Sequence, residues 1–226
     1  MTTTHDDSPD AIGLTHRIEL EFLAAMTRRF ADPPDLADRL SDRVLLRRAE
    51  VAHLIRNELD AMNVGYTLLA VAAFDLLAPE VGEAEAIDAI DACLHGYARP
   101  HVLAGTRAML DASADPYATL VAASRERELH YFGPSFAFDR PIDDGFGYVL
   151  EIRRCLYHEV LAACGRTELQ PLMCRADTGW IDAIDPARHR LRFVRPSTLV
   201  NDRVCRMWFM RTDGDDRVRL PVAHGA

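Results

Sequence analysis

The sequence contains no lysine: all 26 of its basic side chains are arginine. That absence removes Schiff-base catalysis and any Walker-type phosphate lysine. GxSxG, GxGxxG and HExxH are missing too, so nucleophile-elbow hydrolases, dinucleotide enzymes and zincins have no motif to rest on. There is no basic run interleaved with aromatics, and the net charge of −9 gives a field that repels nucleic acid and anionic membranes. The apolar stretch Tyr66 to Ala78 is interrupted by Asp75 and is too short to span a bilayer. Met1 to Pro9 is polar and acidic rather than a secretory leader, so a cytoplasmic protein is expected. Cysteine is sparse and odd in number, five in all, which suits reduced thiols and not a disulfide scaffold.

What is present is the composition of a folded protein, 49% hydrophobic and 27% charged. Residues 1–10 read as a flexible tail, 11–128 as a helical N-terminal part, 129–212 as an α+β catalytic part and 213–226 as a C-terminal tail. In the helical part, Ile18, Phe22, Ala25, Met26 and Phe30 mark one helix face, and Asp32-Pro33-Pro34 ends the segment. Leu45, Ala49, Ala52, Ile55, Leu59 and Met62 predict a second helix stopped by Asn63-Val64-Gly65. Tyr66 to Leu77, apolar nearly all round, predicts the central helix, closed by Ala78-Pro79. Helices follow at about 83–96 and 101–112, and Asp115-Pro116 opens another to about Glu128.

The pattern changes at His130. Tyr131–Asp139 and Phe146–Arg154 predict a hairpin with its turn at Pro141 to Gly145. Leu156–Ala163 predicts a helix capped by Gly165, and Leu169 to about Ile184 a second one. Strands at Leu191–Phe193 and Val204–Met210 complete a ββααββ antiparallel unit, the latter apolar on both faces as in a covered central strand. The fold class is α+β, with the helical part packed on this small sheet in a shared core.

Chemistry concentrates in the last third. Cys155 falls where strand gives way to helix, with His158 on the same side of the first turn; a thiol there meets the positive end of the helix dipole. Cys174 and Asp177 repeat the spacing on the next predicted helix. Arg195, at a strand end before Pro196-Ser197-Thr198, is a fork suited to a carboxylate. Cysteine as nucleophile, histidine as base and aspartate as orienting group suffice for addition to a C=N or C=O carbon. A thiol–histidine pair in that role predicts a bell-shaped pH profile near neutrality. The same cysteines also read as small buried hydrophobes, and Cys205, alternating with Met207 and Phe209, reads first as packing. Cys155, His158, Cys174 and Cys205 could make a Cys3His zinc set, but the paired CxxC spacing is missing; no cofactor is the first reading and zinc the secondary one.

The run Cys155, Gly165, Leu172-Met-Cys174-Arg-Ala-Asp177, Phe193-Val-Arg195-Pro-Ser-Thr198-Leu and Cys205 resembles the L-2-amino-thiazoline-4-carboxylic acid hydrolase family, clearly over residues 130–212. The resemblance implies a hydrolase acting on C–N bonds of a cyclic amidine in a small carboxylate-bearing heterocycle. The founding activity opens the thiazoline to N-carbamoyl-L-cysteine. Cys174 and then Cys155 are the candidate nucleophiles, with His158 and Asp177 as catalytic partners. Arg195, Thr198 and Cys205 are the candidate substrate-binding residues. Family members commonly carry a glycine in the turn before the last-strand cysteine and an acidic residue after it; here Asn201-Asp202 and Arg206 stand there. The expected partner is a small-molecule substrate, without nucleic acid or membrane, and a homo-oligomer is compatible with this. The alternative is a small-molecule-binding or specialised-metabolism tailoring protein of the same fold, in which the cysteines merely line a pocket. Convergence of Cys155, Cys174, His158 and Asp177 within hydrogen-bond reach around a cavity discriminates the two.

Overall fold

A computed structural model of the protein describes residues 11–30 and 34–212. The expected tails, 1–10 and 213–226, lie outside the described residues, as do Asp32 and Pro33 of the first helix stop. Six helices come first: α1 (Ala11–Arg29), α2 (Leu36–Glu50), α3 (Glu58–Val81), α4 (Glu83–Gly96), α5 (Ala98–Asp111) and α6 (Pro116–His130). The hairpin β1 (Ala137–Asp143) and β2 (Gly147–Arg154) follows. Then come α7 (Leu156–Ala163), α8 (Gln170–Asp177), the single turn α9 (Pro186–His189), β3 (Leu191–Ser197) and β4 (Cys205–Arg211). The sheet is antiparallel with strand order β1-β2-β4-β3, so β4 is central, and the α+β class is as expected.

Four boundaries differ from the sequence reading. The helix expected through Leu45–Met62 breaks at 51–57. Asn57 caps a new helix there by accepting the Asp60 N–H at 2.9 Å, and Asn63-Val64-Gly65 runs on inside α3. Pro79 is tolerated in the last turns of α3, which ends at Gly82 with φ of +87°. Tyr131 to Phe136 is not strand: Phe132, Phe136 and Phe138 gather with Tyr157 into a ring cluster instead. The long helix expected over Leu169–Ile184 is interrupted after Asp177, and 3-10 turns at Thr167–Leu169 and Ile181–Ala183 flank the short α8 that remains.

Two cores result. α3 carries buried residues on every side, with α1, α2, α4 and α7 packed round it. At 24 residues α3 is long and apolar enough to cross a membrane by length and composition, beyond the 66–78 stretch first considered, but it is the core helix of this layer. The inner sheet face, Tyr148, Leu150, Ile152, Cys205, Met207 and Phe209, packs with Leu110, Tyr117, Leu120 and Trp180. Phe138 and Cys155 touch both clusters and mark the seam. Asp75, the charge inside the apolar run of α3, is buried between two arginines: Oδ2 accepts from Arg47 Nε at 2.8 Å, and Oδ1 from Arg166 Nε at 2.8 Å. It fastens α2 and the segment after α7 to the central helix.

One half-buried histidine gives the fold an acid limit. In α4, burial holds the His95 imidazole below its ordinary value, against the opposing pull of Asp91, whose Oδ1 lies 2.9 Å from Nδ1. Neutral in the fold, His95 is protonated in the unfolded chain below the ordinary histidine value of about 6.5, so the unfolded state binds more protons in that window. Stability is therefore full above about pH 6.5 and falls as pH drops from there to the folded value. His95→Gln is expected to flatten this part of the profile, as urea midpoints measured at about pH 7.5 and pH 5 will show; an unchanged acid slope would assign it elsewhere.

Candidate active site

Strand β2 delivers Cys155 to the start of α7. Its backbone is still extended (φ −121°, ψ 114°), so it takes the N-cap position, and its carbonyl accepts the Glu159 N–H at 3.1 Å. Glu159 also pairs with Arg154 through two hydrogen bonds of 2.5 and 2.7 Å, which clamps the strand-to-helix corner. Leu156, Val160 and Leu161, all fully buried, seat α7 in the helical core. On α8, Leu172 and Met173 are buried and Cys174, next along, is left partly accessible. Cys205 opens β4 on the inner face, opposite Ile152 of β2.

These elements bring Cys155, Cys174, Cys205 and Arg195 to the wall of one cleft at the seam between the two cores. Phe132, Phe136, Ile152 and Met173 supply its apolar surface, and the empty space is about 360 Å³, mouth included. Arg195 spans two of the thiol positions: Nη1 donates to the Cys174 carbonyl at 3.0 Å and Nη2 to Cys205 Sγ at 3.2 Å. The cleft also holds Gln170, a residue the sequence reading missed. It is buried, and its Nε2 donates to Cys174 Sγ at 3.4 Å while its Oε1 lies 3.1 Å from His158 Nδ1. The proton of that second contact sits on His158, because an amide oxygen only accepts.

The remaining candidates stand further out. His158 does not line the cleft; Gln170 stands between it and Cys174. Since an amide does not relay a proton, this contact orients Gln170 and does not serve Cys174 as a base. Thr198 is spent on the turn before β4, its N–H donating to Asn201 Oδ1 at 2.9 Å and its carbonyl accepting the Asp202 N–H at 2.9 Å, and its neighbour Leu199 lines the cleft in its place. Asp177 is the last residue of α8, and its side chain lies outside the described residues. Among the described residues no three of His, Cys, Asp and Glu come close enough to hold a metal ion. Cys93 and Cys164 lie away from the cleft, and burial pushes both thiols up.

Arg206, where the resemblance implies an acidic residue, follows Cys205 and so points to the other face of the sheet. There its Nε donates to Glu151 at 2.9 Å and its Nη1 to Asp202 at 2.7 Å. The departure therefore falls on the face away from the cleft.

If Gln170 holds the Cys174 sulfur ready for attack, Gln170→Leu is expected to slow alkylation of Cys174 by iodoacetamide about tenfold, since a sulfur without its donor is the poorer nucleophile. Intact-mass kinetics with peptide mapping, using Cys155 as internal reference, reads this directly. Equal slowing at both thiols would mean a general loss of packing.

A helical layer and an antiparallel sheet that close on a thiol-lined, arginine-walled cleft define an α+β protein. The chain belongs to the L-2-amino-thiazoline-4-carboxylic acid hydrolase family, whose model matches residues 62–209 of the 226. The match begins in α3 and so takes in most of the helical layer as well as the sheet. The family's name points to a hydrolase. Searches of curated proteins and of solved structures each found no match.

Proposed function

We propose that the chain opens the ring of 2-amino-thiazoline-4-carboxylate, or of a near relative, by thiol-assisted addition of water. The observation that carries this reading is the convergence of Cys155, Cys174, Cys205 and Arg195 on one cleft. Cys174 is the nucleophile: it is partly accessible, and Gln170 donates to its sulfur. Sγ adds to the amidine carbon, the ring C–S bond breaks while both C–N bonds stay, so the bond cut is not the C–N bond the resemblance implied, and the departing sulfur takes the thiol proton. Water then displaces Sγ, leaving a carbamoyl group on the product and restoring the thiol. Arg195 holds the substrate carboxylate and fixes its distance from Cys174, whose carbonyl it already engages. Cys155, at the N-terminus of α7, is the second thiol within the site.

The test is release of free thiol and of an N-carbamoyl product, followed by mass spectrometry in water enriched in oxygen-18. The expected result is one heavy oxygen in the carbamoyl group. Absence of ring opening across 2-aminothiazoline and 2-aminooxazoline carboxylates would overturn the substrate class.

A further inference from the structure

A second cavity lies beside the cleft and shares two of its walls, Phe132 and Tyr157. It is the larger of the two, with about 790 Å³ of empty space, mouth included. Its walls are aromatic: Tyr66, Tyr131 and Trp180 join the two shared rings. Arg127 of α6 is the one charged side chain on its lining among the described residues.

The guanidinium of Arg127 lies over the Trp180 ring, 5.0 Å from its centroid, and Arg127 makes no ion pair among the described residues. Trp180 is itself held in place, stacked on Phe209 at 5.8 Å and edge-on to Phe193 at 4.9 Å. Stacking on an aromatic face leaves the in-plane N–H groups of a guanidinium directed outward, where they match the two oxygens of a carboxylate. A single positive charge in an otherwise apolar chamber balances one negative charge; a dianionic phosphate would leave the second uncompensated, at high cost away from water.

We propose that this cavity binds a small aromatic carboxylate, its ring among the aromatic walls and its carboxylate on Arg127. The inference does not rest on the function assigned to the cleft. The probe is 4-fluorophenylacetate, followed by fluorine NMR on the whole protein and by Trp180 fluorescence in a Trp208→Phe background, Trp180 and Trp208 being the two tryptophans. Saturable binding is expected. The neutral 4-fluorophenylacetamide should bind at least about tenfold more weakly, because it lacks the charge.

Arg127→Gln should weaken the acid, not the amide, by a similar factor. Val102→Trp, which fills the chamber from α5, should abolish binding of both. Arg195→Gln should leave the affinity unchanged, which separates this site from the cleft. The proposal fails if acid and amide bind equally, if Arg195→Gln and not Arg127→Gln removes binding, or if no saturation appears by about 10 mM, an affinity weaker than about −3 kcal/mol. The acid–amide comparison needs no variant, so it stands even if a substitution prevents folding.

Discussion

Replacing Cys174 by serine is expected to lower kcat/KM for ring opening by about three orders of magnitude, some 4 kcal/mol of transition-state stabilisation. A serine hydroxyl is a poor nucleophile without a base beside it, and His158 contacts Gln170 rather than this position. Cys155→Ser should cost less, about tenfold, because on this reading Cys155 forms wall and not bond. Steady-state kinetics on both variants, with intact-mass detection of an adduct on Cys174 in the parent, checks the assignment. Full activity in Cys174→Ser would remove covalent catalysis from that residue, and a larger loss in Cys155→Ser would transfer it.

Gly133→Ala is expected to destabilise the fold by about 3 kcal/mol, a fall in Tm of roughly 10 °C for a chain of this size. A Cβ at Gly133 would stand 2.0 Å from Asp60 Oδ1 and 2.8 Å from the Asp60 backbone nitrogen, so neither a side-chain rotation nor a small shift makes room. Asp60 is fully buried and accepts from the Arg56 N–H at 3.1 Å, the Ser135 N–H at 3.2 Å and the Ser135 hydroxyl at 2.8 Å. The displaced loop carries Phe132 and Phe136, which line the cleft, so activity should fall together with stability. Thermal melts of Gly133→Ala against Pro134→Ala, an exposed neighbour, provide the control. Equal Tm values in the two would show that the loop yields freely.

The same loop shows what was legible in the sequence. The periodicity of apolar residues placed the helices well, because burial of one stripe is written locally. It ran through the break at 51–57, since the spacing of Leu45 to Met62 continues across it; Asn57 followed at the third position by Asp60 was the available sign of a new helix start. Tyr131 to Phe136 looked like strand on aromatic content, but its backbone answers to Asp60, 75 residues away from Ser135 in the chain, and no local pattern carries that. Among candidate site residues, the cysteines and Arg195 meet as their clustering suggested. Gln170 escaped notice because glutamine carries no chemistry of its own, although its place four residues before Cys174 on one helix was readable. Thr198 was read from its neighbours in the motif, and the turn it builds depends on Asn201.

The sheet order has a consequence during synthesis. β4 lies between β2 and β3, although it leaves the ribosome after both. The hairpin β1–β2 can form early, but β3 has no edge to join until β4 arrives and pairs with each. Cys205 opens that last strand, so a nascent chain that stops before it can display Cys155 and Cys174 and still have no cleft to hold them. Cys155 and Cys174 are thus translated before the strand that completes their enclosure, which makes the interval before β4 inserts the moment of greatest exposure to oxidants and to mispairing.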